Sequence, residues 1–133
     1  MSFNFQNNEE TYSLTIIVKD LRNSTGVVQF ALYNKKGSVP DEKYQKYYKK
    51  STVFINDNSA TITFNNLPKA KYAINILHDE NENGKIDKRF FLPKEGIGFS
   101  NYKSIGLRNR PKFSKASFNL DDNMTKIVTV IYM

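Results

Sequence analysis

The most constraining feature of this chain is its hydrophobic period. Apolar residues recur at every second position in short runs, and turn-forming clusters close each run. A strand shows successive side chains to opposite faces, so this period predicts strands with two distinct faces. In Tyr12–Asp20 (YSLTIIVKD), Leu14, Ile16 and Val18 share one face. In Val27–Asn34 (VVQFALYN), Val28, Phe30 and Leu32 oppose Val27, Gln29, Ala31 and Tyr33. Thr52–Asn56 and Ser59–Asn65 flank Asp57-Asn58, a hairpin signal. In Lys71–His78 (KYAINILH), Tyr72, Ile74, Ile76 and His78 oppose Ala73, Asn75 and Leu77. Lys115–Asn119 reads as a short strand. Lys126–Tyr132 closes the series, with Ile127, Thr129 and Ile131 alternating against Val128, Val130 and Tyr132.

These runs predict an all-β fold, a seven-stranded antiparallel β-sandwich. The first two strands are expected to pair across the turn at Asn23–Gly26. One connection breaks the pattern. In Lys35–Lys50, Pro40-Asp41-Glu42 resembles the first turn of a short helix, and Tyr44, Tyr47 and Tyr48 would form one aromatic stripe. With 133 residues, one domain over 12–133 is expected, preceded by a disordered leader at 1–11. That leader, MSFNFQNNEET, has no apolar central region and does not read as a signal peptide. No run of about 18 apolar residues is present, so no membrane-spanning helix is expected.

Composition narrows the chemistry. The chain has no cysteine, which excludes thiol catalysis, disulfides and cysteine-ligated zinc. Its net charge of +7 favours anionic partners without identifying one.

The stretch with most chemical content is Asp79-Glu80-Asn81-Glu82-Asn83-Gly84-Lys85-Ile86-Asp87, or D-x-N-x-N-G-x-x-D. Oxygen-bearing side chains at positions 1, 3 and 5, glycine at 6 and an acid at 9 match the start of a calcium loop. Asp79, Asn81, Asn83, the Lys85 carbonyl and Asp87 are the candidate Ca2+ ligands. Position 12 is Phe90, so the bidentate glutamate is missing. Only Asp79 and Asp87 would bring direct charge, with Glu80, Glu82 or Glu95 as helpers. Binding at roughly 10⁻⁴–10⁻³ M is expected, the range of extracellular modules. The competing reading is a bare polar turn, because Asn83-Gly84 alone makes a good hairpin turn.

His78 is the only histidine. It cannot build a usual zinc site alone, and it reads as a structural residue bonded to the loop that follows it. Glu95-Gly96-Ile97-Gly98-Phe99-Ser100-Asn101 has no phosphate-loop lysine and follows no parallel strand. It reads as an ordered glycine loop, with Phe99 packed inward and Ser100 and Asn101 capping backbone groups. Two basic areas remain. Lys43, Lys46, Lys49 and Lys50 accompany the tyrosines, and Lys103, Arg108, Arg110, Lys112 and Lys115 form the second. They would suit a nucleic acid or an anionic glycan, but no nucleic-acid motif is present. No pair of carboxylates is marked as an acid/base couple, so the enzyme alternative rests only on Asp79, Asp87, Glu95 and His78.

The chain resembles a family of uncharacterised bacterial proteins, domain of unknown function family 2141, from about Tyr12 to Tyr132. The resemblance rests on Leu21-Arg22 with Gly26, on Asn66-Leu67-Pro68 followed by Tyr72-Ala73, and on His78-Asp79-Glu80-Asn81 with Asn83-Gly84-Lys85-Ile86-Asp87. It continues through Pro93–Asn101, Arg110-Pro111-Lys112-Phe113 and Ala116-Ser117-Phe118. It implies an exported protein of the periplasm or cell surface, with a sandwich related to prealbumin-like or immunoglobulin-like folds, and no established activity. Glu82 stands where glycine is common in the family, and Lys88-Arg89-Phe90-Phe91 is a second departure; neither alters Asp79, Asn81, Asn83 or Asp87. The expectation is an exported, monomeric β-sandwich that binds a protein or glycan partner and carries a weak structural Ca2+ site. The alternatives are a carbohydrate-active or other hydrolase and a polyanion or nucleic-acid binder.

Overall fold

The computed structural model describes residues 10–41, 44–82, 96–105 and 110–132, together with the backbone of 88–89 and 92–93. Its strands are β1 (Thr11–Val18), β2 (Val27–Tyr33), β3 (Lys49–Phe54), β4 (Ala60–Pro68), β5 (Ala70–Asp79), β6 (Lys88–Arg89), β7 (Leu92–Pro93), β8 (Gly96–Phe99), β9 (Phe118–Leu120) and β10 (Met124–Ile127). One short helix, α1, spans Phe113–Ala116.

The fold is all-β and built on two sheets. The first has the order β10-β1-β4; the second runs β3-β2-β5-β8, with β9 also paired to β5. Eight strands therefore form the two sheets, and β6 and β7 make a separate small ladder. The first sheet is mixed, because β10 runs parallel to β1 while β4 runs antiparallel to it. This differs from the expected seven antiparallel strands.

One face of each sheet contributes to a shared core. Leu14, Ile16 and Val18 of β1 and Phe64 and Leu67 of β4 cluster with Val28, Phe30 and Leu32 of β2 and Tyr72, Ile74 and Ile76 of β5. Each such large aliphatic or aromatic side chain contributes about 1.5–3 kcal/mol by leaving water. The opposite face of the second sheet is also covered. Ala31, Tyr33, Ala73, Leu77, Ile97 and Phe99 pack there with Tyr44, Tyr102, Phe113 and Ala116. Burial on both faces explains why β2 and β5 read as nearly continuous apolar runs, whereas β1 and β4 alternate.

Two strand bounds move: Lys115 and Ala116 belong to α1, so the strand expected over Lys115–Asn119 is Phe118–Leu120, and the closing strand expected over Lys126–Tyr132 is Met124–Ile127. Three larger expectations also change. First, β1 does not pair with β2. It pairs with β4 and β10, and β2 pairs with β3 and β5, so the chain changes sheet between the first two strands. Second, Asp57 and Asn58 do form a tight turn, with φ of 55° and 58° and reciprocal backbone bonds between Asn56 and Ser59. After that single bridge β3 and β4 part into different sheets. Third, the described part of Lys35–Lys50 contains no helix: Tyr44 has φ of 51°, outside the right-handed helical region. Asp41 instead turns inward. Its carboxylate accepts the Tyr33 hydroxyl at 3.0 Å and the backbone N–H groups of Gln45 and Lys46 at 3.0 and 2.8 Å. Burial, followed by the Asp41 charge, holds the Tyr33 phenol well above its ordinary value.

Candidate functional site

The candidate loop leaves the end of β5. Asp79 is the last residue of that strand, lies opposite Val27 of β2, and is 1% exposed. Gly26 packs beneath it. A Cβ on Gly26 would lie 2.2 Å from the Asp79 carbonyl oxygen, and φ at Gly26 is +77°. The turn then tightens, with the Glu82 N–H donating to the Asp79 carbonyl at 3.3 Å and Glu82 at φ of 57°. This left-handed conformation is one that glycine adopts without steric cost and glutamate does not.

Of the five proposed ligands, Asp79 and Asn81 are placed. Asn83, Lys85 and Asp87 lie outside the described residues, as does Glu95. Among the described residues, no group of three or more His, Asp or Glu side chains is gathered as a metal would require. Glu80, considered as a helper, has another role. Its carboxylate accepts Arg22 Nε at 3.0 Å and Asn23 Nδ2 at 2.8 Å, and Arg22 Nη2 makes a further close contact. The Arg22 bond holds the Glu80 carboxyl below its ordinary value, against the opposing effect of partial burial.

His78 sits under this ion pair with no exposure. Nε2 lies 2.9 Å from the Thr25 carbonyl and Nδ1 lies 2.6 Å from the Tyr132 hydroxyl. A carbonyl only accepts, so Nε2 carries a proton; in the neutral imidazole Nδ1 then accepts from the phenol. The same hydroxyl accepts the Arg22 backbone N–H at 3.2 Å, and the Arg22 guanidinium lies 4.6 Å from the Tyr132 ring centroid. Burial raises the Tyr132 phenol above its ordinary value, partly opposed by Arg22. The structural reading of His78 therefore holds, but its partners come from the β1–β2 connection and the C-terminal segment, not from the following loop.

Arg22, Asn23, Thr25 and Tyr132 were not assigned a site role from sequence. Arg22 meets Glu80 across 58 positions and Tyr132 meets His78 across 54. No local spacing encodes such contacts. The glycine segment is clearer: Gly96–Phe99 forms β8 against β5, where an ordered loop was expected. Phe99 is buried, as read. Ser100 bridges the Ile74 N–H and the Ala116 carbonyl at 2.9 and 2.6 Å. The Asn101 amide donates to the carbonyls of Lys115, Ala116 and Ser117, also as read.

Of the second basic area, Arg108 lies outside the described residues. The Lys115 ammonium lies 5.0 Å from the Tyr102 ring centroid. Gln29, read only as a strand residue, is 2% exposed and its Nε2 has no hydrogen-bond partner.

No curated protein matches the chain, and no solved structure does. A family profile matches residues 16–128, which takes in most of both sheets and, of the residues just described, Arg22, His78 and Glu80 but not Tyr132. The chain belongs to that family, described as uncharacterized protein conserved in bacteria (DUF2141).

Proposed function

We propose that this protein is an exported binding module whose 79–87 loop takes a calcium ion in a structural role. The observation that carries this reading is the placement of Asp79, a buried carboxylate at the end of a central strand, immediately before a tight turn. The D-x-N-x-N-G-x-x-D spacing supplies hard oxygen donors of the kind calcium prefers. Because Glu80 is neutralised by Arg22, it adds little net charge to the loop, in keeping with weak binding. The two-sheet fold, related in this reading to prealbumin-like or immunoglobulin-like sandwiches, would serve as the platform. Export rests on the family resemblance, and millimolar calcium outside a cell would fill such a loop.

The hydrolase alternative lacks comparable support. His78, one of its candidate residues, engages Tyr132 and Thr25 through its two ring nitrogens.

Thermal unfolding with and without calcium tests the proposal. At about 10 mM calcium and a Kd near 1 mM, binding stabilises the native state by about 1.4 kcal/mol, a few degrees in Tm. Chelator should reverse the rise, and Asp79→Asn should abolish it. A Tm indifferent to calcium in the unaltered protein overturns the ion site.

A further inference from the structure

The Lys35–Lys50 connection does work that its expected helix would not. Ser38 closes a turn on Lys35, donating its N–H and its hydroxyl to the Lys35 carbonyl at 3.2 and 2.5 Å. Asp41 fixes the returning chain through the N–H groups of Gln45 and Lys46. Together these bonds shape an open cleft of about 370 Å³ lined by Lys35, Lys36, Gly37, Ser38, Lys46 and Tyr47, with Gln45 at its side. The volume lies near the lower end of small-ligand sites, about 300–1,000 Å³. The space above Gly37 is unobstructed: no atom comes within 4 Å of where a Cβ would stand.

Among the described residues, the exposed charge around this cleft is of one sign. Asp41 is buried and its carboxylate is taken up by Tyr33 and two backbone donors. Arg22–Glu80 is the only ion pair among the described residues, so Lys35, Lys36, Lys46, Lys49 and Lys50 keep their charge unneutralised. Tyr47 and Tyr48 stand 39% and 40% exposed beside them. Their rings are already partly claimed. The Lys50 ammonium lies 5.0 Å from the Tyr47 centroid, and that of Lys49 lies 5.4 Å from Tyr48.

We propose that this cleft binds an acidic polysaccharide, with the lysines taking its carboxylates and Tyr47 the apolar side of a sugar ring. One feature favours this partner over a single-stranded nucleic acid. Single-strand binders stack successive bases on several aromatic side chains, whereas this cleft is lined by one, Tyr47. Charges spaced around one aromatic wall suit a polymer with one carboxylate per ring. This site is separate from the 79–87 loop, so it stands or falls independently of calcium.

Binding of the full chain to polygalacturonate, at low salt and with chelator present, is the test. Single-stranded poly(dT), polyglutamate and neutral dextran serve as comparison probes. Salt-sensitive binding to polygalacturonate that exceeds binding to the other three is expected. The triple variant Lys35→Gln, Lys36→Gln, Lys46→Gln should weaken it by about tenfold or more, since each lysine removed lowers the salt-dependent part. Tyr47→Ala should weaken it further, whereas Lys103→Gln with Lys112→Gln should leave it unchanged. All these positions are on the surface, and an unaltered Tm verifies folding. Equal or tighter binding of poly(dT) or polyglutamate overturns the proposal. So does an undiminished triple variant, an equal loss in the Lys103/Lys112 variant, or no binding to polygalacturonate.

Discussion

The His78 imidazole and the Tyr132 phenol meet at 2.6 Å, so a buried strand residue is fastened to the C-terminal segment 54 positions away. Nδ1 has no water to turn to, because His78 is fully buried. Tyr132→Phe keeps the ring but removes the hydroxyl, leaving Nδ1 and the Arg22 N–H without this partner. A buried polar group left unsatisfied costs about 1–3 kcal/mol, and that loss is expected here. Urea unfolding measures it; a midpoint equal to that of the unaltered protein contradicts the bond's role.

Gly26 is where the β1–β2 connection passes beneath the end of β5. Its φ of +77° and the 2.2 Å approach to the Asp79 carbonyl make any side chain costly. Gly26→Ala should destabilise the fold by about 2 kcal/mol or more, from left-handed strain together with the clash. Glu82→Gly tests the opposite case. Its φ of 57° is strained for glutamate, so glycine should be neutral or stabilising by up to about 1 kcal/mol. Parallel melts of the two variants check the contrast in sign.

Glu80 makes stability depend on pH. Arg22 holds its folded-state value below that of the unfolded chain, ordinarily 4.5. The stabilisation is therefore complete above the ordinary carboxylate range and is lost as pH falls through the folded value. Because the pair is partly solvated and screened, it should contribute only about 0.5–1 kcal/mol. Glu80→Gln should lower the urea midpoint at pH 7 and approach the unaltered protein's value near pH 3. A variant deficit that stays constant across this range would contradict the linkage.

Tyr33 produces the opposite dependence at the alkaline end. Its phenol is raised by burial and by Asp41, so above about pH 10 the unfolded chain ionises while the folded one does not. Stability should fall as pH rises past that point. Asp41→Ala strands the Tyr33 hydroxyl and two backbone N–H groups, and about 2–4 kcal/mol of destabilisation is expected at pH 7. Urea titrations at pH 7 and across pH 9–11 measure both effects.

Much of the strand content was legible in the sequence, because side-chain alternation is a local property. The opposed sets Val28/Phe30/Leu32 and Ala31/Tyr33 fall in the two different cores, as do Tyr72/Ile74/Ile76 and Ala73/Leu77. Turn chemistry was equally local: Asp57-Asn58 forms its tight turn and Ser100 and Asn101 cap backbone groups. The helix read at Pro40-Asp41-Glu42 is absent from the described residues there, where Asp41 accepts the N–H groups of Gln45 and Lys46 in a non-helical turn with Tyr44 at φ of 51°. Here Tyr33, an aromatic residue on β2, draws Asp41 inward.

What the residues determined unaided is the period-2 pattern, and with it the all-β class and the faces that must be buried. Family membership was readable on the same ground, since its motifs are contiguous. Which strands become neighbours was settled only in three dimensions, where β1 joins β4 and β10 and leaves β2 to the other sheet. The Arg22–Glu80 and His78–Tyr132 contacts were settled there too. Alternation specifies which side of a strand is apolar but leaves its partner open, because any apolar face can cover any other. Partners are chosen by chain connectivity and by the close fit of long-range contacts, and neither leaves a signal within a few residues.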